Sequence, residues 1–337
     1  MSISSNMLKH AFLMSSLVFF PLSSAVAGDD TDKPVVEQLV DTLTTIAGPH
    51  PGIRKNHAKG VVVLGEFTPS SEASSVSMAQ HLQSASTPVT IRFSNTTGIP
   101  DIADTNPSSF PKGIAIRFQL ADDSYTDIVS ISVNRFPAAT PEDFLGLINA
   151  VATSGPDAAT PKPITQFLAS HPAAKTFVEP PKPAPVSFAT QPFYGVNAFK
   201  FTNKDGEVKY GRYQIIPLNG PEYLTDEQRA AAGNNYLFEE LPKRLQQGKV
   251  ELTLALQIAE KGDDLTDPTV VWPETRQTVR LGTITIDSID PNDEQFAKQN
   301  MFNPLALTDG IEASEDPILL ARPSAYAISY GRRLSGQ

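Results

Sequence analysis

Arg54-Lys55-Asn56-His57-Ala58-Lys59-Gly60-Val61-Val62-Val63-Leu64-Gly65-Glu66-Phe67 sets a basic, histidine-bearing turn directly against a valine-rich run. β-Branched residues fit a pleated, half-buried surface, so Gly60 to Phe67 predicts a strand. Similar runs follow it. Val89 to Ser94 alternates, with Ile91 and Phe93 opposed to Arg92 and Ser94, and Gly113 to Leu120 alternates again. Asp127 to Val133 and Asn197 to Asn203 are shorter strand runs. Asp205-Gly206 suits a hairpin turn into Val208 to Pro217. Val250 to Ala259 alternates polar and apolar residues, and Thr278 to Asp287 predicts a strand pair or one long strand.

Helical patterns lie before, between and after these runs. Residues 34–47 carry apolar side chains at Val36, Leu39, Val40, Leu43 and Ile46, and the Gly48-Pro49-His50-Pro51-Gly52 cluster ends that helix. Thr140-Pro141-Glu142-Asp143 starts another, with Thr as cap, Pro in the first turn and two acids suited to the helix dipole; it predicts a helix to about Val151. Thr225 to Gln247 and Pro317 to Leu334 also have helical spacing. The proline-rich stretch 155–192 predicts an extended loop over the surface. Many strands at hairpin spacing with helices grouped around them predict an α+β fold built on an antiparallel β-barrel or sheet. No boundary cuts a second domain, so residues 28–337 are expected to form one.

Bulk composition narrows the function. Among 337 residues, 40% are hydrophobic and 19% charged, which is a globular balance. The net charge of -10, with no basic run, gives no footprint for nucleic acid and argues against anionic lipid. The absence of cysteine excludes disulfides, thiolate ligation, iron–sulfur clusters and cysteine nucleophiles. Lys9 and His10, the apolar stretch Ala11 to Leu22, and Ala25-Val26-Ala27 predict a signal peptide over residues 1–27. The apolar stretch is shorter than the ~20 residues that span a bilayer. The mature chain is therefore expected in the periplasm or outside the cell, free of the membrane.

His50, His57, His81 and His171 lie beyond the leader, and no two have metal-ligand spacing. There is no glycine-rich phosphate loop and no nucleophile elbow. Two segments remain. Alone, His57 reads equally as a loop histidine. Tyr326, in Arg322-Pro323-Ser324-Ala325-Tyr326, reads equally as a core tyrosine beside a solvated arginine. On a helix, Arg322 lies one turn behind Tyr326 on the same face. A guanidinium beside a phenol favours the phenolate, a hard donor suited to ferric iron.

The ordered series of motifs resembles the haem catalases. Arg54-x-x-His57-Ala58-Lys59-Gly60 with Gly65-x-Phe67 resembles their distal histidine segment, and Arg92-Phe93-Ser94 the strand after it. Asp104-Thr105, Pro111-Lys112-Gly113-Ile114-Ala115, Asn197-Ala198-Phe199-Lys200-Phe201, Leu265-Thr266, Val271-Trp272-Pro273 and Leu281-Gly282 keep the family's order. Asn303-Pro304, Gly310-Ile311-Glu312-x-Ser314-x-Asp316 and Arg322-x-x-x-Tyr326-x6-Arg333 resemble the proximal end. The match covers about residues 50 to 334. It lacks the wrapping and helical region that follows in full-length catalases, and so is similar to the short catalase-related peroxidases.

The resemblance implies a β-barrel of the haem-catalase core type and haem b as cofactor. It implies Tyr326 as the iron ligand, held ionised by Arg322, and His57 as the proton shuttle on the opposite face, oriented by Ser94. Arg54, Arg92 and Arg333 would pair with the haem propionates, and Phe136 would stack near the porphyrin. Catalases carry a distal asparagine after a short apolar strand. Here that stretch reads Val129-Ser130-Ile131-Ser132-Val133-Asn134, with Asn134 two positions late. The resemblance thus implies peroxidase chemistry, with hydrogen peroxide or an organic hydroperoxide as oxidant and a small organic reductant. It leaves open a weak catalase activity and either a monomer or a homodimer. The rival expectations are a hydroperoxide-rearranging enzyme similar to allene oxide synthase, and a non-enzymatic exported haem-binding protein.

Overall fold

The valine run is the first strand, β1 (Gly60–Pro69), in a computed structural model that describes residues 33–337. The leader expected over residues 1–27 lies outside the described residues. Helix α1 (Val35–Ala47) precedes β1. After it come β2 (Thr87–Asn95), β3 (Lys112–Gln119) and β4 (Tyr125–Ile131), then α2 (Pro141–Ala152), α3 (Pro163–Ser170) and α4 (Pro172–Val178). The chain continues through β5 (Phe193–Tyr194), β6 (Phe199–Thr202), β7 (Val208–Pro217), α5 (Asp226–Ala231), α6 (Tyr236–Gln247) and β8 (Val250–Ile258). It ends with β9 (Thr278–Ile289), α7 (Asp293–Gln299), β10 (Ile311–Ala313) and α8 (Pro317–Leu334).

The strands join antiparallel in the order β10-β6-β7-β5-β4-β3-β2-β1-β9-β8, and β7 also pairs with β8. That last pairing, with Tyr213 opposite Leu256, closes eight strands into a barrel. Strands β6 and β10 extend from β7 outside the ring. The alternation read in the sequence sorts the two faces. Val61, Val63, Ile91, Phe93, Ile114, Ile116 and Phe118 fill the barrel interior, each burial contributing on the order of 2 kcal/mol. The intervening side chains, Arg92 and Ser94 among them, face outward. Gly65 sits where the β1–β9 register shifts, and a Cβ there would collide with the Thr285 carbonyl oxygen.

Two expectations change. The 155–192 stretch is not one extended loop, because Pro163 and Pro172 open α3 and α4 at positions where a missing N–H costs nothing. The helix expected over Thr225 to Gln247 breaks between α5 and α6, where the Asn234 carbonyl accepts from the Asp104 amide (2.9 Å) and Lys59 Nζ (3.0 Å). Of the two forms expected for Thr278 to Asp287, the structure has the single long strand, β9. The cap expected at α2 is present: Thr140 Oγ1 accepts from the Asp143 amide at 3.1 Å.

Asp104 ties the floor of the histidine segment together. Fully buried, it accepts from Lys59 Nζ at 2.7 Å, Asn95 Nδ2 at 2.8 Å and the Leu237 amide at 2.9 Å. Lys112, also fully buried, donates to the Asp104 carbonyl at 2.7 Å. Removing one partner leaves a buried charge uncompensated, so Asp104→Ala is expected to cost about 3–5 kcal/mol of stability. Urea unfolding followed by circular dichroism measures this; a loss near zero would mean that Lys59 finds water instead.

Candidate active site

Register alone builds one wall of the site. Ser94 pairs with Gly113 across β2–β3, Gly113 with Ile131 across β3–β4, and Ile131 with Tyr194 across β4–β5. These four form one row on the outer face of the barrel. All four line a cavity of about 250 Å³, as do Arg54, His57, Arg92, Phe136, Arg322, Tyr326 and Arg333. Every side chain singled out from the sequence therefore meets the same space.

His57 lies over the row. Its backbone has φ +53°, a left-handed conformation uncommon for histidine. Asn56 Oδ1 steadies that turn by accepting from the amides of His57 (2.9 Å) and Thr97 (2.8 Å). The imidazole Nδ1 lies 3.0 Å from Ser94 Oγ. The ring fits because residue 113 has no side chain: a Cβ there would lie 2.7 Å from His57 Cε1 and 2.9 Å from Ser94 Oγ. Burial, reinforced by the positive charges of Arg92, Arg322 and Arg54, lowers the His57 pKa to about 3. The imidazole is thus neutral and its Nε2 makes no hydrogen bond to any described residue.

Tyr326 reaches the same cavity from α8. Arg322, one turn earlier, donates from Nε to Tyr326 Oη at 3.0 Å. Its Nη1 donates to Asn197 Oδ1 at 2.6 Å, and Asn197 Nδ2 donates to Asp316 Oδ2 at 2.6 Å. The other Asp316 oxygen caps α8, accepting from Ile318 (2.8 Å) and Leu319 (3.3 Å). One carboxylate therefore starts the helix and, through Asn197, aims the guanidinium that touches Tyr326. Sequence reading placed Asn197 and Asp316 in matched segments without giving them this task.

Three buried guanidiniums crowd one side. Arg54 donates to the Ala297 and Asn300 carbonyls at 2.8 Å each, Arg92 to Ala58 at 3.1 Å, and Arg333 to Lys298 at 2.9 Å and Asn300 at 2.8 Å. None has a carboxylate bonded to it among the described residues. Arg54 Nε and Arg92 Nε have no partner. Burial lowers the Arg92 pKa to about 10, with Asp293 opposing and Arg333 adding to the shift. Burial and the charges of Arg92 and Arg333 lower Arg54 as well. Phe136 packs against Phe144 of α2 with ring centroids 4.9 Å apart, giving the cavity an aromatic wall. Asn134, the amide nearest in sequence to the expected one, is not on the cavity lining; Ile131 is.

Residues 37–337 match the sequence model of the Catalase family. A catalase-related peroxidase of Mycolicibacterium paratuberculosis is 34% identical over 296 residues, 87% of this chain and 93% of that protein. The chain belongs to the catalase family. A second catalase-related peroxidase, from Synechococcus elongatus, is 32% identical over 97% of this chain and 96% of its own length. In three dimensions a fungal catalase crystal structure superposes with a TM-score of 0.74 at 24% identity, covering 88% of this chain and 62% of that one. The fold is thus the catalase barrel.

Catalase membership implies haem, and the residues present fit it. Two propionates would supply the acids that Arg54, Arg92 and Arg333 lack, and the orphaned Nε groups of Arg54 and Arg92 point to a missing acceptor. The aromatic and aliphatic walls suit a flat apolar disc, and Tyr326 brings an oxygen donor to the same cavity as His57.

The buried histidines also set an acid limit on the domain. His57 and His81, the latter packed against Phe118 inside the barrel, are both lowered by burial to about 3. An unfolded chain binds those protons near pH ~6.5. Their contribution to stability is therefore complete above that pH and is lost progressively as pH falls toward 3. Urea midpoints from pH 7 to 4 are expected to decline, and His81→Leu to flatten the decline; an unaltered slope would exclude His81 as a source.

Proposed function

We propose that this catalase-family oxidoreductase, which acts on peroxide, works as a haem b peroxidase drawing its electrons from a small organic reductant. The observation that carries the choice of peroxidase is Ile131. It occupies the rung beside Gly113 and puts an aliphatic side chain on the cavity wall near His57, while Asn134 lies off that wall, so this segment brings no amide to the cavity to place a second peroxide, as disproportionation would require. Oxidation of an organic donor needs no such placement.

Haem bound here would supply the redox centre at which the O–O bond breaks. The protein's share is to hold and to move protons. Tyr326 would ligate the iron, and Arg322, fixed by Asn197 and Asp316, would keep the phenol ionised. With its Nδ1 proton donated to Ser94, His57 offers Nε2 as base. It would take the proton from the peroxide oxygen nearer the iron and return it to the departing oxygen. That transfer matters because hydroxide leaves poorly and water leaves well. The low His57 pKa supports this role, since an imidazole already protonated could not accept. Arg54, Arg92 and Arg333 would hold the propionates, and Phe136 would pack against the porphyrin. The leader-like residues 1–27 support export to the periplasm or beyond, and the mature enzyme would act there as a monomer or homodimer.

Two experiments test the reading. In the haem-loaded protein, peroxide consumption should depend on added reductant, with little oxygen released. His57→Ala should slow it by about 10²–10⁴-fold, and Tyr326→Phe should change the ferric haem spectrum. Undiminished turnover in His57→Ala would favour the non-enzymatic haem-binding reading. Gly113→Ala, which pushes on the His57 ring without removing it, should lower turnover on the order of 10²-fold while haem still binds; an unchanged rate would mean that His57 placement is not limiting.

A further inference from the structure

A second cavity, of about 310 Å³, is lined by residues that interleave along the chain with those of the first. The two share walls: Ile131 and Phe136 line the haem cavity, while Ser132, Val133 and Arg135 between them line the second. On the neighbouring segment, Gln191 faces the second cavity and Tyr194 the first. The Glu222 amide donates to the Thr190 carbonyl at 3.0 Å, which sets Tyr223 on the second cavity beside this segment.

The groups in this pocket have unmet needs. Arg135 makes no hydrogen bond or ion pair to any described residue. Lys182 Nζ donates to the Phe177 and Pro180 carbonyls at 2.7 and 3.3 Å, and no acid pairs with it among the described residues. Gln191 is 4% exposed, yet its Oε1 has no partner. A buried amide oxygen left so is costly unless something fills the need. Phe177 and the prolines around residue 181 give flat apolar walls. The set calls for an anion at Arg135, a hydroxyl donor at Gln191 and a planar ring against the apolar walls.

We propose that this pocket binds the organic electron donor, and that the donor is a hydroxylated aromatic carboxylate. The proposal rests on the peroxidase reading above. Arg135 would pair with the carboxylate, where the guanidinium fork fits well, and Gln191 Oε1 would accept from the ring hydroxyl. Each donor molecule gives up one electron and its phenolic proton and leaves as a phenoxyl radical. Two donors supply the two electrons and two protons that convert one hydrogen peroxide into two waters, breaking its O–O bond and forming two O–H bonds. The electrons cross the shared wall at 131–136 and 191–194; the protons exchange through solvent.

The test is calorimetric titration of the haem-loaded enzyme with 4-hydroxybenzoate, in the absence of peroxide. Saturable one-site binding is expected, weakened about tenfold or more by Arg135→Ala. Benzoate should bind more weakly than 4-hydroxybenzoate to the wild type, and Gln191→Leu should erase that difference. The KM for 4-hydroxybenzoate in peroxide-driven oxidation should rise with the Kd in Arg135→Ala. Binding that ignores Arg135 and Gln191, or that shifts the haem absorption band, would place the donor in the haem cavity and overturn the proposal while leaving peroxidase activity intact. Arg135-dependent binding without any peroxide-driven oxidation would instead overturn the peroxidase reading, and the donor role with it.

Discussion

Three guanidiniums lie together without an acid bonded to them among the described residues, and much of the surrounding structure holds them. A buried charge needs hydrogen bonds or a counter-charge. Arg54, Arg92 and Arg333 take what carbonyls they can from residues 58, 297, 298 and 300, so the C-terminal end of α7 and the turn after it are bound to the arginine side. Arg117 extends that anchoring: it pairs with Asp127 at 2.8 Å and donates to the Met301 carbonyl at 2.7 Å, while Asp127 accepts from the Asn303 amide. The segment that covers the cavity is thereby tied to β3 and β4. A dianionic group at this place would convert a cluster that repels itself into one that is paired.

The two sides of the cavity are made rigid by different means. On the histidine side the barrel does it, through a left-handed turn clamped by Asn56 and a glycine that leaves room for the ring. On the tyrosine side a single carboxylate, Asp316, both caps α8 and leads through Asn197 to Arg322. A polar network is worth most when its members are paired, and each member of this one has a partner in the chain.

Much of this was legible in the sequence, for physical reasons. Strands with strict alternation, such as Val89 to Ser94, announce both their existence and their faces, and the Arg322–Tyr326 contact follows from helical spacing alone. Elements of two or three residues, β5 and β10, are too short to carry a period. Helices α3 and α4 were hidden by the prolines that begin them. The Asn197–Asp316 bond spans 119 residues, and no local pattern encodes such a pairing. The change in this wall was half visible: the absent amide could be read, but that Ile131 fills the rung beside Gly113 depends on β3–β4 register.

The row from Ser94 through Gly113 and Ile131 to Tyr194 has a consequence for how such an enzyme can change. Its hydrogen-bond ladder is made by the backbone and is indifferent to the side chains it displays. Each rung can therefore be exchanged while the barrel, whose core lies on the opposite face, keeps its packing. Lineages that share this scaffold can diverge in what they do with an oxidant by substitutions at single rungs, and a change of chemistry need not pass through a loss of fold.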